Sequence, residues 1–124
     1  MKVHVGSTTV VAPGGKTLIL PTGFKPLSVH FQVSPQNDVG SELSTGFSNG
    51  AMHRAASSFS RGSVERTRRS TTEAITHYRV VGGTYVKTLG GKPKTDGFDT
   101  PGLLGLQFDT CTQTTIVDYI VYGE

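Results

Sequence analysis

A lone cysteine, few charged residues and no long apolar run remove several classes of protein at once. Cys111 has no second thiol to join, which excludes an internal disulfide and a thiolate-rich metal centre. With Thr110 and Thr112 beside it and strand-like sequence after it, it reads as a small buried hydrophobe rather than a nucleophile. No apolar stretch approaches the roughly 20 residues of a membrane-spanning helix. The opening Met1-Lys2-Val3-His4-Val5 lacks the apolar core of a secretion signal, so a product made in the cytosol is expected. Helix signals are scarce too: the one stretch with helical spacing, Ser63 to Ile75, is mostly Arg, Ser and Thr and carries no apolar stripe.

Catalytic patterns are missing as well. No serine sits in a Gly-x-Ser-x-Gly elbow, and Gly90-Gly91-Lys92 is followed by Pro93 rather than the Ser or Thr of a phosphate-cradling loop. The nine acidic residues show no spacing that specifies a catalytic pair. Asp96 and Asp99 bracket Gly97-Phe98, and Asp109 and Asp118 surround the last turn, where carboxylates accept turn hydrogen bonds. His4, His30, His53 and His77 fall in four separate strand-like segments without a ligand spacing such as His-x-His. They are expected at exposed strand positions. The expectation is no enzyme, no metal and no cofactor.

What the chain does have is strand sequence punctuated by Gly, Pro, Asn and Asp. Its 124 residues and 35% hydrophobic content suffice for one domain spanning 1–124 with its own core. Thr8–Val11 and Lys16–Leu20 flank Ala12-Pro13-Gly14-Gly15 and read as a first hairpin. Leu27, Val29, Phe31 and Val33 alternate with Ser28, His30 and Gln32, which is the cleanest strand pattern. Asn49-Gly50 joins two strands, Gly82-Gly83 joins two more, and Ser60 to Thr72 is the one candidate mobile loop. About eight to ten short strands with turns between them predict an all-β antiparallel sandwich of jelly-roll type.

The last strand, Ile116 to Tyr122, is β-branched or aromatic at all but Asp118, so both faces ask for cover. Val117, Tyr119 and Val121 share one face; Ile116, Asp118, Ile120 and Tyr122 share the other. Either face is a candidate for packing against a sheet of the same chain or a neighbouring subunit, with Val117, Tyr119 and Val121 the first choice. The strongest electrostatic feature is Arg61, Arg66, Arg68 and Arg69 with a single Glu65 among them. A solvated loop is one reading; the other follows from the planar fork by which Arg pairs carboxylates, which makes these four candidates for contact with an adjacent subunit or another protein. A net charge of +3, with no aromatic interleaved for base stacking, argues against nucleic acid.

Three segments carry a family resemblance: Gly23-Phe24-Lys25-Pro26 before the strand Leu27–Phe31; Thr45-Gly46-Phe47-Ser48 with the Asn-Gly turn; and Thr95-Asp96-Gly97-Phe98-Asp99 followed by the closing Tyr119-Ile120-Val121-Tyr122-Gly123. In this order they resemble small virion proteins of tailed bacteriophages and prophages. Those share a Gly-Phe-x-Pro lead-in to a strand, a central Gly-Phe strand, an Asp-Gly-Phe motif and a terminal Tyr-x-x-x-Gly strand. The resemblance spans residues 23 to 123. The chain departs from the pattern in having no Trp and in its Arg-rich segment.

The resemblance implies a structural, non-enzymatic subunit located in the virion, as capsid decoration, neck or tail component. Its implied partners are further copies of itself and other virion proteins. A fainter similarity to H-type β-sandwich lectins, in a Gly-Phe strand and an apolar terminal strand, implies the alternative of a host-surface glycan as partner. Tyr78, Tyr85 or Phe47 would then be the aromatic platform.

Overall fold

A computed structural model describes residues 1–13, 16–36, 41–61, 64–81 and 83–124. The described residues form ten strands and no helix: β1 (Lys2–Val10), β2 (Lys16–Pro21), β3 (Pro26–Pro35), β4 (Ser41–Ser48), β5 (His53–Arg61), β6 (Val64–Ser70), β7 (Ile75–Val81), β8 (Thr84–Pro93), β9 (Leu103–Cys111) and β10 (Thr115–Gly123). They build an all-β sandwich of two antiparallel sheets, one ordered β1-β10-β3-β4-β5-β6 and the other β2-β9-β8-β7. Towards its two ends the chain crosses between sheets as a jelly roll does: β1, β10 and β3 lie side by side in one sheet, β2 and β9 in the other. The middle runs as two meanders, β3 to β6 and β7 to β9.

Alternation along the strands decides what is buried. Val29, Phe31 and Val33 of β3, Val117, Tyr119 and Val121 of β10, and Leu104, Leu106 and Phe108 of β9 meet in one cluster with Leu20, Ile75, Leu89 and Cys111. Each such side chain stabilises the fold by about 1.5–3 kcal/mol relative to exposure. The inner positions of β4 and β5 are small or polar instead: Ser44, Gly46, Ser48, Ala55 and Ser57. There the sheets come close, and a Cβ on Gly46 would overlap the backbone carbonyl of Ala74 at the head of β7.

The glycines of the motif segments are seats of the same kind. A Cβ on Gly123 would run into the Phe24 ring, and Gly50, at φ +91°, lies against the Phe98 ring. The loop before β3 is pinned to the loop before β9, with Thr22 and Gly23 amides both donating to the Gly102 carbonyl at 2.8 and 3.3 Å. The Asn-Gly step closes the β4–β5 hairpin: Asn49 Oδ1 accepts from the amides of Ala51 and Met52 at 3.0 and 2.7 Å. The β7–β8 hairpin pairs Val81 with Thr84 around Gly83, at φ +79°.

Four expectations need correction. The expected first hairpin does not exist, because β1 and β2 lie in different sheets and their connection crosses the sandwich; Gly14 and Gly15 lie outside the described residues. The Arg-rich segment is not a loop: Val64–Ser70 is strand β6, paired along β5 as the edge of its sheet. Edge strands tolerate a polar, charged composition that hides their periodicity. Leu27 is 48% exposed although Val29 and Phe31 are buried. The register slips between Tyr122 and Gly123, so Pro26 rather than Leu27 takes the buried place. Finally, His77 is fully buried rather than at an exposed strand position.

Candidate interaction surface

The outward face of the six-stranded sheet carries exposed or half-buried apolar side chains, among them Val3, Val5, Phe47, Ile120 and Tyr122. Strand register defines two rungs across it. One runs Val5, Ile120, His30, Phe47, Arg54 from β1 to β5; the next runs Ser7, Asp118, Gln32, Thr45, Ala56, Arg69 from β1 to β6. At the centre the His30 ring meets Phe47 edge-on at 5.0 Å and Tyr122 at 5.7 Å between centroids. Such pairs contribute about 0.5–1.5 kcal/mol beyond their area. Two shallow recesses follow the rungs. One of about 610 Å³ has Val5, Gln32, Asp118 and Ile120 in its lining; the other, of about 460 Å³, has Phe47, Arg54 and Arg69. Charge is segregated: on these rungs the carboxylate of Asp118 lies towards β1 and the guanidiniums of Arg54 and Arg69 towards β6.

Strand alternation divides the four candidate arginines. Arg61 ends β5 and Arg66 lies in β6, but their side chains fall outside what the structure describes. Arg69 shares the outward rung with Asp118. Arg68 points the other way, with its guanidinium carbon 4.9 Å from the Tyr78 ring centre and 5.2 Å from that of Tyr85. Two of the three aromatics considered as a platform are thus held by an arginine of the same chain, which leaves Phe47 on the recess.

Val117, Tyr119 and Val121 lie in the core of the sandwich, 0%, 6% and 0% exposed. They pack against the chain's own second sheet, which leaves Ile116, Asp118, Ile120 and Tyr122 on the outward face of β10. The Tyr119 ring lies across Gly6 of β1, where a Cβ would collide with it. Burial pushes the Tyr119 hydroxyl above its ordinary pKa.

Two polar clusters sit elsewhere. Inside the sandwich, Ser44 Oγ donates to Ser57 Oγ at 2.9 Å and lies 2.6 Å from His77 Nδ1, while the Tyr78 amide donates to Ser57 Oγ at 3.0 Å. With Ser44 and Ser57 at 1% and His77 at 0% exposure, this serine–histidine pair cannot meet a substrate in the folded chain. It ties β4 and β5 to β7 where the apolar core runs out. On the outside of the smaller sheet, Glu73 Oε1 accepts from Lys87 Nζ and from Thr76 Oγ1 beside a recess of about 370 Å³ that Asp109 and Lys92 also line. Burial alone would lower the Lys87 pKa, but the hydrogen bond and charge of Glu73, with Asp109 and Tyr78 adding, outweigh it and hold it above the ordinary value. Among the described residues no group of three or more His, Cys, Asp and Glu is placed to hold a metal ion.

The cluster of His30, Phe47, Tyr122 and Arg54 was not evident as a site in the sequence. Phe47 and Arg54 share one hairpin, but His30 and Tyr122 are distant in the chain and join them only through the pairing of β3 with β4 and of β10 with β3. The local signal was the outward alternation of His30 and Gln32, which marks a wet face without saying what adjoins it. No known protein family matches the chain, nor does any curated protein or solved structure.

Proposed function

We propose that the chain is a structural, non-enzymatic subunit of a tailed-phage particle, which contacts neighbouring virion proteins through the outward face of its six-stranded sheet. The observation that carries the reading is that face: an aromatic and aliphatic strip of Val5, Ile120, His30, Phe47 and Tyr122 that ends on Arg54 and runs beside a second rung carrying Asp118 and Arg69. Aromatic residues and Arg are the side chains most enriched at protein contacts. The resemblance supports the setting, since its Gly-Phe and Asp-Gly-Phe segments supply Phe24 and Phe98, and its Asn-Gly turn supplies the Gly50 on which Phe98 rests, parts that close the sandwich rather than serve a chemistry.

The test is incorporation into particles. Mass spectrometry of purified particles from a strain carrying the gene should detect the chain, and Arg54→Glu with Arg69→Glu should deplete it at least tenfold. Undiminished incorporation of that folded variant contradicts the assigned face. A second reading, a glycan site, is favoured by Phe47 standing in a recess beside Thr45, Arg54 and Arg69. Glycan-array binding that disappears with Phe47→Ala would select it.

A further inference from the structure

We infer that two copies of this chain join edge to edge through β1, making one continuous sheet of their six-stranded sheets. The inference rests on reading the chain as an assembling subunit and names the first partner as a second copy of itself.

The two sheets have four edge strands, β1, β6, β2 and β7. An edge strand presents unpaired N–H and C=O groups, and proteins that stay apart blunt it with charges, proline, bulges or shortness. The edge strand β6 carries Glu65, Arg66, Arg68 and Arg69 in seven residues. Strand β2 is only six residues long, begins at Lys16 and ends at Pro21. Strand β7 is bulged between His77 and Tyr78 and carries Arg79. Strand β1 has one charge, Lys2 at its first residue, and none of the other devices. It runs nine residues, pairs with β10 without a register shift, and from Val3 to Val10 carries no Asp, Glu, Lys, Arg or Pro. It also has apolar surface to bury, with Val3 54% and Val5 70% exposed, against Ile19 at 47% on β2.

A second copy of the same strand fits this edge, because antiparallel pairing of β1 with itself satisfies a two-fold axis. An axis through Gly6 uses all nine residues and sets Val3 beside Thr9 and Val5 beside Ser7 across the seam. All four face outward, so the strip of Val3, Val5, Ile120 and Tyr122 continues from one copy into the next. A foreign strand could use the backbone groups equally well, but the two-fold register sets each outward Val of one copy against a Thr or Ser of the other and opposes no like charges, which favours self-pairing. A seam of one strand pair is a small interface, so dissociation in the micromolar range is expected.

The experiment is light scattering behind size exclusion, from low to high micromolar concentrations of the full chain. The expected result is a mass rising from one copy to two. Val5→Lys with Ser7→Lys, both on exposed positions, places lysines side by side twice in the seam and should raise the dissociation constant at least tenfold while circular dichroism stays unchanged. Thr67→Lys, which adds a charge on the opposite edge at β6, should leave the dimer intact. A wild-type chain that stays monomeric, or a dimer indifferent to Val5→Lys with Ser7→Lys, overturns the inference. If that variant fails to fold, concentration-dependent amide protection of β1 in the wild type decides instead. Incorporation into particles is read separately, so failure of β1 pairing and failure of the virion reading remain distinguishable.

Discussion

Replacing Gly46 by Ala adds one methyl group at a point where β4 lies directly against the backbone of Ala74. The new Cβ would overlap the Ala74 carbonyl oxygen, with the Arg54 carbonyl oxygen 3.5 Å away. Ala74 cannot retreat freely, because its own amide is tied to the Gly91 carbonyl at 3.0 Å in β8. Relief therefore requires the sheets to part, and overpacking of this kind costs about 1–3 kcal/mol. Parting them also stretches the neighbouring Ser57–Ser44–His77 hydrogen bonds, each contributing about 1 kcal/mol. The expected total is about 2–4 kcal/mol. At a urea slope of about 1.5–2 kcal/mol per M, a loss of about 3 kcal/mol lowers the midpoint by about 1.5–2 M. Gly105→Ala is the comparison: its Cβ would meet only the flexible Lys94 side chain at 3.3 Å, the Gly97 Cα at 3.4 Å and the Ile19 tip at 3.6 Å. It should stay within about 1 kcal/mol of wild type. Urea unfolding followed by circular dichroism, at low protein concentration, measures both. Equal midpoints for the two variants would refute the claim that backbone contact with Ala74 sets the sheet spacing.

Two further outcomes concern the polar and thiol groups. The Lys87 pKa is raised in the fold, so the stabilisation from Glu73 is complete below the unfolded value of 10.5 and is lost as pH climbs through the folded value. Glu73→Gln should therefore unfold at lower urea from neutral pH to about pH 10, by about 1 kcal/mol for this partly exposed pair, with the gap closing at higher pH. A gap that does not change with pH would show that packing of the Glu73 side chain, rather than its charge, supplies the stability. Cys111, 3% exposed in the core, should react with a thiol reagent only as the chain unfolds, and Cys111→Ser should cost about 1–3 kcal/mol for a hydroxyl placed there.

How much was legible in the sequence follows from the range of each interaction. Strand alternation is local, so Val29, Phe31 and Val33 of β3 and both faces of β10 could be read residue by residue. Turn chemistry is local too, and Asn49-Gly50 and Gly82-Gly83 marked real hairpins. Sheet membership is not local. Whether β1 turns into β2 or crosses to the other sheet depends on its pairing with β10 and on that of β2 with β9, more than eighty residues later. The same limit hid the interaction surface, since nothing near His30 announces Phe47 or Tyr122. The Arg segment failed for a different reason: an edge strand has one partner and one wet side, so charge replaces the apolar alternation by which strands are found.

The most direct test of the account is amide hydrogen exchange on the wild-type chain at low and at high micromolar concentration. The account predicts that amides of β1 become protected as concentration rises while those of the edge strands β2, β6 and β7 do not change. Exchange in β1 that is independent of concentration, or protection that arises at β6 instead, would contradict it.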